Sequence, residues 1–181
     1  MDIATVWTTH PEERSAATAA FRELVQKLGA PPHLLLLHST VDYEASAVVD
    51  RLRELAPHTP LIGGTSFRGV MTEAGFHGQD GRGLALMGIL DPQGSYGVGA
   101  SALGRDPSAS AQAALDEALA QAGRPGEVPA IIWMAAAPGH EERLLHGIEA
   151  LVGPNVPIAG GSTADHDVSG NWRQFANGEV H

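Results

Sequence analysis

"PLIGGTSFRG" (60–69) returns almost a hundred residues later as "PIAGGSTADH" (157–166), and this recurrence decides how the chain is read. Each copy is a proline, a short apolar run, two glycines and two hydroxyl residues. An apolar run of that length is a strand, and paired glycines at its end permit positive φ and close backbone approach. At a common offset of 97, Leu34–Ser39 falls on Ile131–Ala136, Gly63-Gly64-Thr65-Ser66 on Gly160-Gly161-Ser162-Thr163, and Glu44 on Glu141. The first helix of each half matches at an offset of 94, where Gly29 meets Gly123.

Working outward, "IATVWT" (3–8) has strand composition, and Thr9, Pro11 and Glu12 have the spacing of a capping box for a helix with its stripe at Ala17, Ala20, Phe21, Leu24, Val25 and Leu28. "HLLLLHS" (33–39) and "AIIWMAA" (130–136) are aliphatic runs suited to buried strands. Asp42 is placed to cap a second helix, and Asp106-Pro107 opens a third. "MTEAGFHGQDGRG" (71–83) reads as a hairpin tip or exposed loop. "LALMGIL" (84–90) and "YGVGASAL" (96–103) read as an antiparallel pair across the turn "DPQGS", and Asn177-Gly178 as a hairpin turn near the C-terminus.

The expected fold is therefore α/β. Two pseudo-symmetric β-α-β-α-β halves, about 1–83 and 84–166, form mixed, mainly parallel sheets flanked by helices, followed by a tail, 167–181. Right-handed crossovers make each strand–helix–strand unit parallel, and ligands in open α/β sheets sit beyond the carboxyl ends of the strands. Both glycine corners lie at such ends, so the two copies are expected to share one cleft.

Composition narrows the function. A net charge of −10 speaks against nucleic acid and against a polybasic membrane surface. No apolar stretch reaches the roughly 18–20 residues of a membrane span, so no membrane insertion is expected. Zero cysteines remove disulfides, thiolate metal sites and cysteine nucleophiles, and fit a cytoplasmic location. The nine histidines are scattered; His140 and His146, six apart, do not share a helix face, and no metal site is expected. "GVGASA" (97–102) satisfies G-x-G-x-x-A but sits inside an expected strand, where a dinucleotide loop does not belong. "GGTSFRG" lacks the last glycine of a nucleophile elbow, and no lysine follows either corner as in a P-loop. Asp42, Glu44, Glu141 and Glu142 have the placement of helix caps and dipole partners. No nucleophile–base–orienter set is apparent, so no catalytic residues and no enzyme activity are expected.

The corners differ in the residues just beyond them: Phe67-Arg68 in one, Ala164-Asp165-His166 in the other. A guanidinium and a carboxylate suit the two ends of an amino-acid-like zwitterion. The expected ligand-binding residues are Thr65, Ser66, Arg68, Ser162, Thr163 and Asp165, with His38, Ser39 and Thr40 along one wall and Gly63, Gly64, Gly160 and Gly161 shaping the backbone. No cofactor is required. The alternatives are a haem held by His38 or His166 as axial ligand, and a hydrolase or transferase using Asp165 or His166.

The order of buried strand, polar loop, helix and "IGGTSFRGVM", echoed by "PIAGGSTAD", resembles the N-terminal half of the FIST domain over nearly the whole chain. The pattern falls here on Gly63, Gly64, Thr65, Ser66 and Gly69, and on Gly160, Gly161, Ser162 and Asp165. The resemblance implies a bacterial signal-transduction sensory domain that binds small molecules such as amino acids. It also implies a C-terminal FIST half as companion and a histidine kinase, chemoreceptor or cyclic-nucleotide protein as output partner. Some members of the family are haem proteins that sense nitric oxide. No catalytic set comes with the resemblance.

Overall fold

The aliphatic run Leu34–Ser39 (β2) and the glycine-ended run Leu61–Thr65 (β3) pair in parallel through the helix Ala45–Leu55 (α2), with Leu37 opposite Gly63 and Ser39 opposite Thr65. The second aliphatic run repeats this arrangement. In the computed structural model, which describes residues 1–181, Ile132–Ala136 (β7) and Ile158–Ser162 (β8) pair in parallel through Glu141–Val152 (α4). Each pairing of the second unit, such as Met134 with Gly160, lies 97 residues after its counterpart in the first. The glycines are needed for that closeness. A Cβ on Gly63 would stand 1.7 Å from the Leu37 carbonyl oxygen, and one on Gly160 would stand 2.0 Å from that of Met134.

The contacts divide the chain into two compact units, residues 1–94 with 164–181 and residues 95–163. In the first, Asp2–Thr8 (β1) leads through Glu13–Leu28 (α1) to β2, and then through α2 to β3. The helix α1 is capped by Glu12, whose carboxylate accepts from the N–H groups of Arg14 and Ser15, rather than by Thr9. A short hairpin, Val70–Thr72 (β4) and Gly75–His77 (β5), precedes Leu84–Leu90 (β6). Gln174–Ala176 (β9) and Glu179–Val180 (β10) close the sheet, in the order β1-β6-β2-β3-β9-β10. Their turn uses Asn177 and Gly178 at φ 50° and 91°, the two positive values that a tight hairpin requires.

Crossovers run β1, β2 and β3 in one direction, but β6 enters without a crossover helix and inserts antiparallel between β1 and β2. The sheets are consequently mixed, with β2–β3 and β7–β8 the parallel pairings and the other five antiparallel, against the expected parallel majority. On one face of the six-stranded sheet Val6, Leu35, Leu37, Leu61, Leu84, Leu86 and Phe175 form one core with the apolar sides of α1 and α2. Leu36, His38, Ile62 and Ala85 alternate to the opposite face.

The second unit packs Pro107–Gln121 (α3) against α4 around Leu115, Leu119 and Ile148. Residues 96–103 form no strand there. They run along α3, where the Val98 N–H donates to Gln121 Oε1 at 2.6 Å and the Ala100 N–H to Glu117 Oε2 at 2.9 Å. Gly97 and Gly99 allow this approach, since a Cβ on either would stand 2.0 Å from a carbonyl oxygen of α3. The glycines of "GVGASA" thus serve helix packing.

Candidate functional site

The carboxyl ends of β2 and β3 meet in one corner of the first unit. The Ser66 N–H donates to the Ser39 carbonyl at 2.8 Å, extending the ladder by one step. Thr65 is buried, and its hydroxyl oxygen accepts from the Arg173 N–H at 2.9 Å. Its carbonyl accepts from the Ala164 N–H, which brings the loop beginning at 164 beside the corner. Past Ser66 the chain turns sharply at Arg68, a non-glycine residue at φ 56°, in a region that side chains with a Cβ occupy rarely. Gly69 comes next, where a Cβ would stand 2.4 Å from the Phe76 ring.

The turn at Arg68 is held by an imidazole. The Arg68 N–H donates to His166 Nδ1 at 3.0 Å, and on the other side of the ring Nε2 lies 2.5 Å from Asp42 Oδ2. Because Nδ1 accepts, Nε2 carries the proton and donates to the carboxylate. Asp42, expected to cap α2, is spent here instead, and Glu44 caps that helix. The loop carrying His166 is itself organised by Asp165, which is buried. Its carboxylate accepts from the N–H groups of Val168 at 2.6 Å, Asn171 at 2.7 Å and Asp167 at 3.3 Å. Burial pushes this carboxyl up, and those backbone donors outweigh burial and leave it below the usual carboxylate range.

Arg68 itself is exposed. Its guanidinium lies 5.5 Å from the centre of the Phe67 ring, and it takes part in none of the ion pairs of the chain. Ser66 is half-buried beside it. The structure thus brings Thr65, Ser66, Arg68 and Asp165 into one neighbourhood, with Gly63 and Gly64 in the strand beneath. Ser39 and Thr40 are fully buried at the end of β2, and His38 points to the opposite face of the sheet. Burial holds the His38 imidazole below its ordinary pKa, against a hydrogen bond that the ring donates to the Gly64 backbone.

The other expected residues belong to the second unit. Gly160, Gly161 and Ser162 end β8, and the Ser162 hydroxyl donates to Glu141 Oε1 at 2.5 Å. The same carboxylate accepts from the Gly139 N–H at 3.0 Å, and these bonds hold its pKa at about 2. The buried Thr163 donates through both its N–H and its hydroxyl to the Ala136 carbonyl. Its N–H bond is the counterpart, 97 residues on, of the one from Ser66 to Ser39.

Both ring nitrogens of His166 are engaged, by the Arg68 N–H and by Asp42, and His38 is bonded to the Gly64 backbone within the sheet. The Asp42–His166 pair is not apparent in the sequence, since the residues stand 124 apart and each has a local reading as a cap or loop residue. An open groove on the edge strand β1, lined by Ile3, Ala4, Thr5, Lys27 and Glu73, includes none of the expected site residues. No helix is long and apolar enough to cross a membrane.

The family model of the FIST N domain matches residues 33–181. No curated protein and no solved structure matches the chain. The chain belongs to the FIST N domain family, a family of sensory, signal-transducing domains and not of enzymes.

Proposed function

We propose that this FIST N domain binds a small polar ligand, with amino acids the leading class, at the corner formed by β3 and the loop 164–171, and passes the signal to an output partner. The observation that carries this reading is Arg68. Its cation has no carboxylate partner, faces an aromatic ring, and stands on a backbone turn fixed by His166. A guanidinium presented in this way has its planar fork available for a ligand carboxylate. Ser66 supplies a neighbouring hydroxyl, while Thr65 and Asp165 shape the corner through the backbone bonds they hold.

Binding without catalysis is the reading these groups support. His166 has no free nitrogen with which to take a proton, and the Asp165 carboxylate is occupied by backbone donors. Use of Ser162 and Thr163 by a ligand requires release of their bonds to Glu141 and Ala136. A cytoplasmic setting, a C-terminal FIST half, and a histidine kinase, chemoreceptor or cyclic-nucleotide protein as recipient of the signal complete the proposal.

A thermal-shift screen of amino acids and small metabolites tests it. A one-site ligand at 100 times its dissociation constant adds about 2.7 kcal/mol of stability. A hit whose shift shrinks in Arg68→Ala supports the site. A screen in which no compound moves the midpoint rejects the reading.

A further inference from the structure

Arg82 stands two residues before β6, on a turn held as firmly as that of Arg68. Asp80 and Gly81 take φ 49° and 81°, and Gln79 and Arg82 exchange both backbone hydrogen bonds, at 3.0 and 2.8 Å. This is a two-residue hairpin turn, which fixes the start of the Arg82 side chain. From the pair Ser39–Leu84 the ladder runs one step further, through the Thr40 N–H to the Gly83 carbonyl at 2.9 Å and the Gly83 N–H to the Thr40 hydroxyl at 3.2 Å. Side chains alternate along a strand, so Arg82 returns to the face of Leu84 and Ser39, diagonal to Ser39 and within reach of a long side chain.

The environment on that face agrees. Burial raises the Tyr43 phenol and the charge of Arg82 lowers it, so the guanidinium lies within electrostatic reach of the phenol. The Tyr43 hydroxyl is committed to the His10 carbonyl at 2.7 Å, and Asp42 is committed to His166. Arg82 belongs to no ion pair. Its Nε is buried without an acceptor, and so is the Ser39 hydroxyl, on a residue of zero exposure. Two donors are thus left unsatisfied on one face at one strand end, where buried polar groups are nearly always paired.

We propose that Arg82 and Ser39 form a seat for the oxyanion of a small ligand, a carboxylate or a phosphate. The Nε edge of the guanidinium and the hydroxyl donate to it, and Tyr43 forms the wall. The proposal rests on the small-ligand reading given above and adds, to the carboxylate contact at Arg68, a seat for a second anionic group of that ligand. An ordered water bridging the two donors is the competing explanation.

NMR of the arginine Nε–H groups in the full chain separates them. The protein is titrated in parallel with acetate, L-glutamate and inorganic phosphate at matched ionic strength in chloride. The Arg82 signal, identified by its loss in Arg82→Lys, is expected to shift saturably with the carboxylates or with phosphate, and the responding anion names the class. Ser39→Ala is expected to weaken that binding about tenfold while leaving the stability of the free protein unchanged or higher, because the hydroxyl it removes has no partner. An Arg82 signal that is indifferent to all three anions, that responds equally to chloride, or whose titration is unchanged by Ser39→Ala overturns the seat. If an anion moves the Arg68 signal and not that of Arg82, the seat falls and the Arg68 site stands. If the Arg82 titration holds while no ligand is affected by Arg68→Ala, the Arg68 site falls and the seat stands.

Discussion

Gly63 and Gly160 stand where a parallel strand approaches its neighbour too closely for any side chain, and the overlap with a backbone carbonyl cannot be relieved by a rotamer change. Gly63→Ala is therefore expected to cost about 3 kcal/mol of stability, measured by denaturant unfolding; a loss near zero would show that the strand yields. Arg68 illustrates the opposite use of backbone. Its strained φ persists because His166 accepts its N–H and Asp42 fixes the ring. His166→Ala leaves that N–H and the carboxylate unmatched. A loss of about 1–2 kcal/mol is expected in chemical unfolding, together with weaker binding of any ligand that depends on Arg68. Unchanged binding in His166→Ala would mean that the turn needs no latch. The glycines and Arg68 are visible in the sequence, because local pattern marks strand ends. The latch is not, because the bonds that make it join residues 98 and 124 positions apart.

At the scale of elements, the apolar stripe of α1, the Asp106-Pro107 start of α3 and the aliphatic runs of β2 and β7 are legible, since each is a local pattern. Local pattern fails where partner choice decides. Residues 84–90 have the pattern of a hairpin with 96–103, but β6 instead pairs with β1 and β2, and 96–103 lies along α3 with its amides held by Glu117 and Gln121. The first turn of α4 carries its own prediction. Glu141 has a folded-state pKa of about 2 against an ordinary value of 4.5, because Ser162 and Gly139 hydrogen-bond its ionised form. A group lowered on folding stabilises the native state above its unfolded pKa and loses that contribution as pH falls through the folded value. The stability gap between the native chain and Glu141→Gln is thus expected at pH 7 and should close between about pH 5 and 2. Unfolding curves of both proteins across that range measure it, and a gap independent of pH would contradict the assignment.

At the scale of the molecule, the two parallel units share register, glycine contacts and the bond that continues each corner, all 97 residues apart. They differ in the partners of their hydroxyls and in the charged group beyond the glycines. One corner ends in a cation without a carboxylate partner, the other in a serine bound to a glutamate. Family membership is legible from the glycine corners and their flanks. The role of Asp165 is not, because a carboxylate that organises a loop and one that meets a ligand look alike in sequence. The central claim is that Arg68 recognises the ligand. Calorimetric titration of the strongest screening hit into the native chain and into Arg68→Ala tests it most directly. One-site binding weakened at least about tenfold in the variant, close to 1.4 kcal/mol, is the predicted result; equal dissociation constants for the two proteins would contradict it.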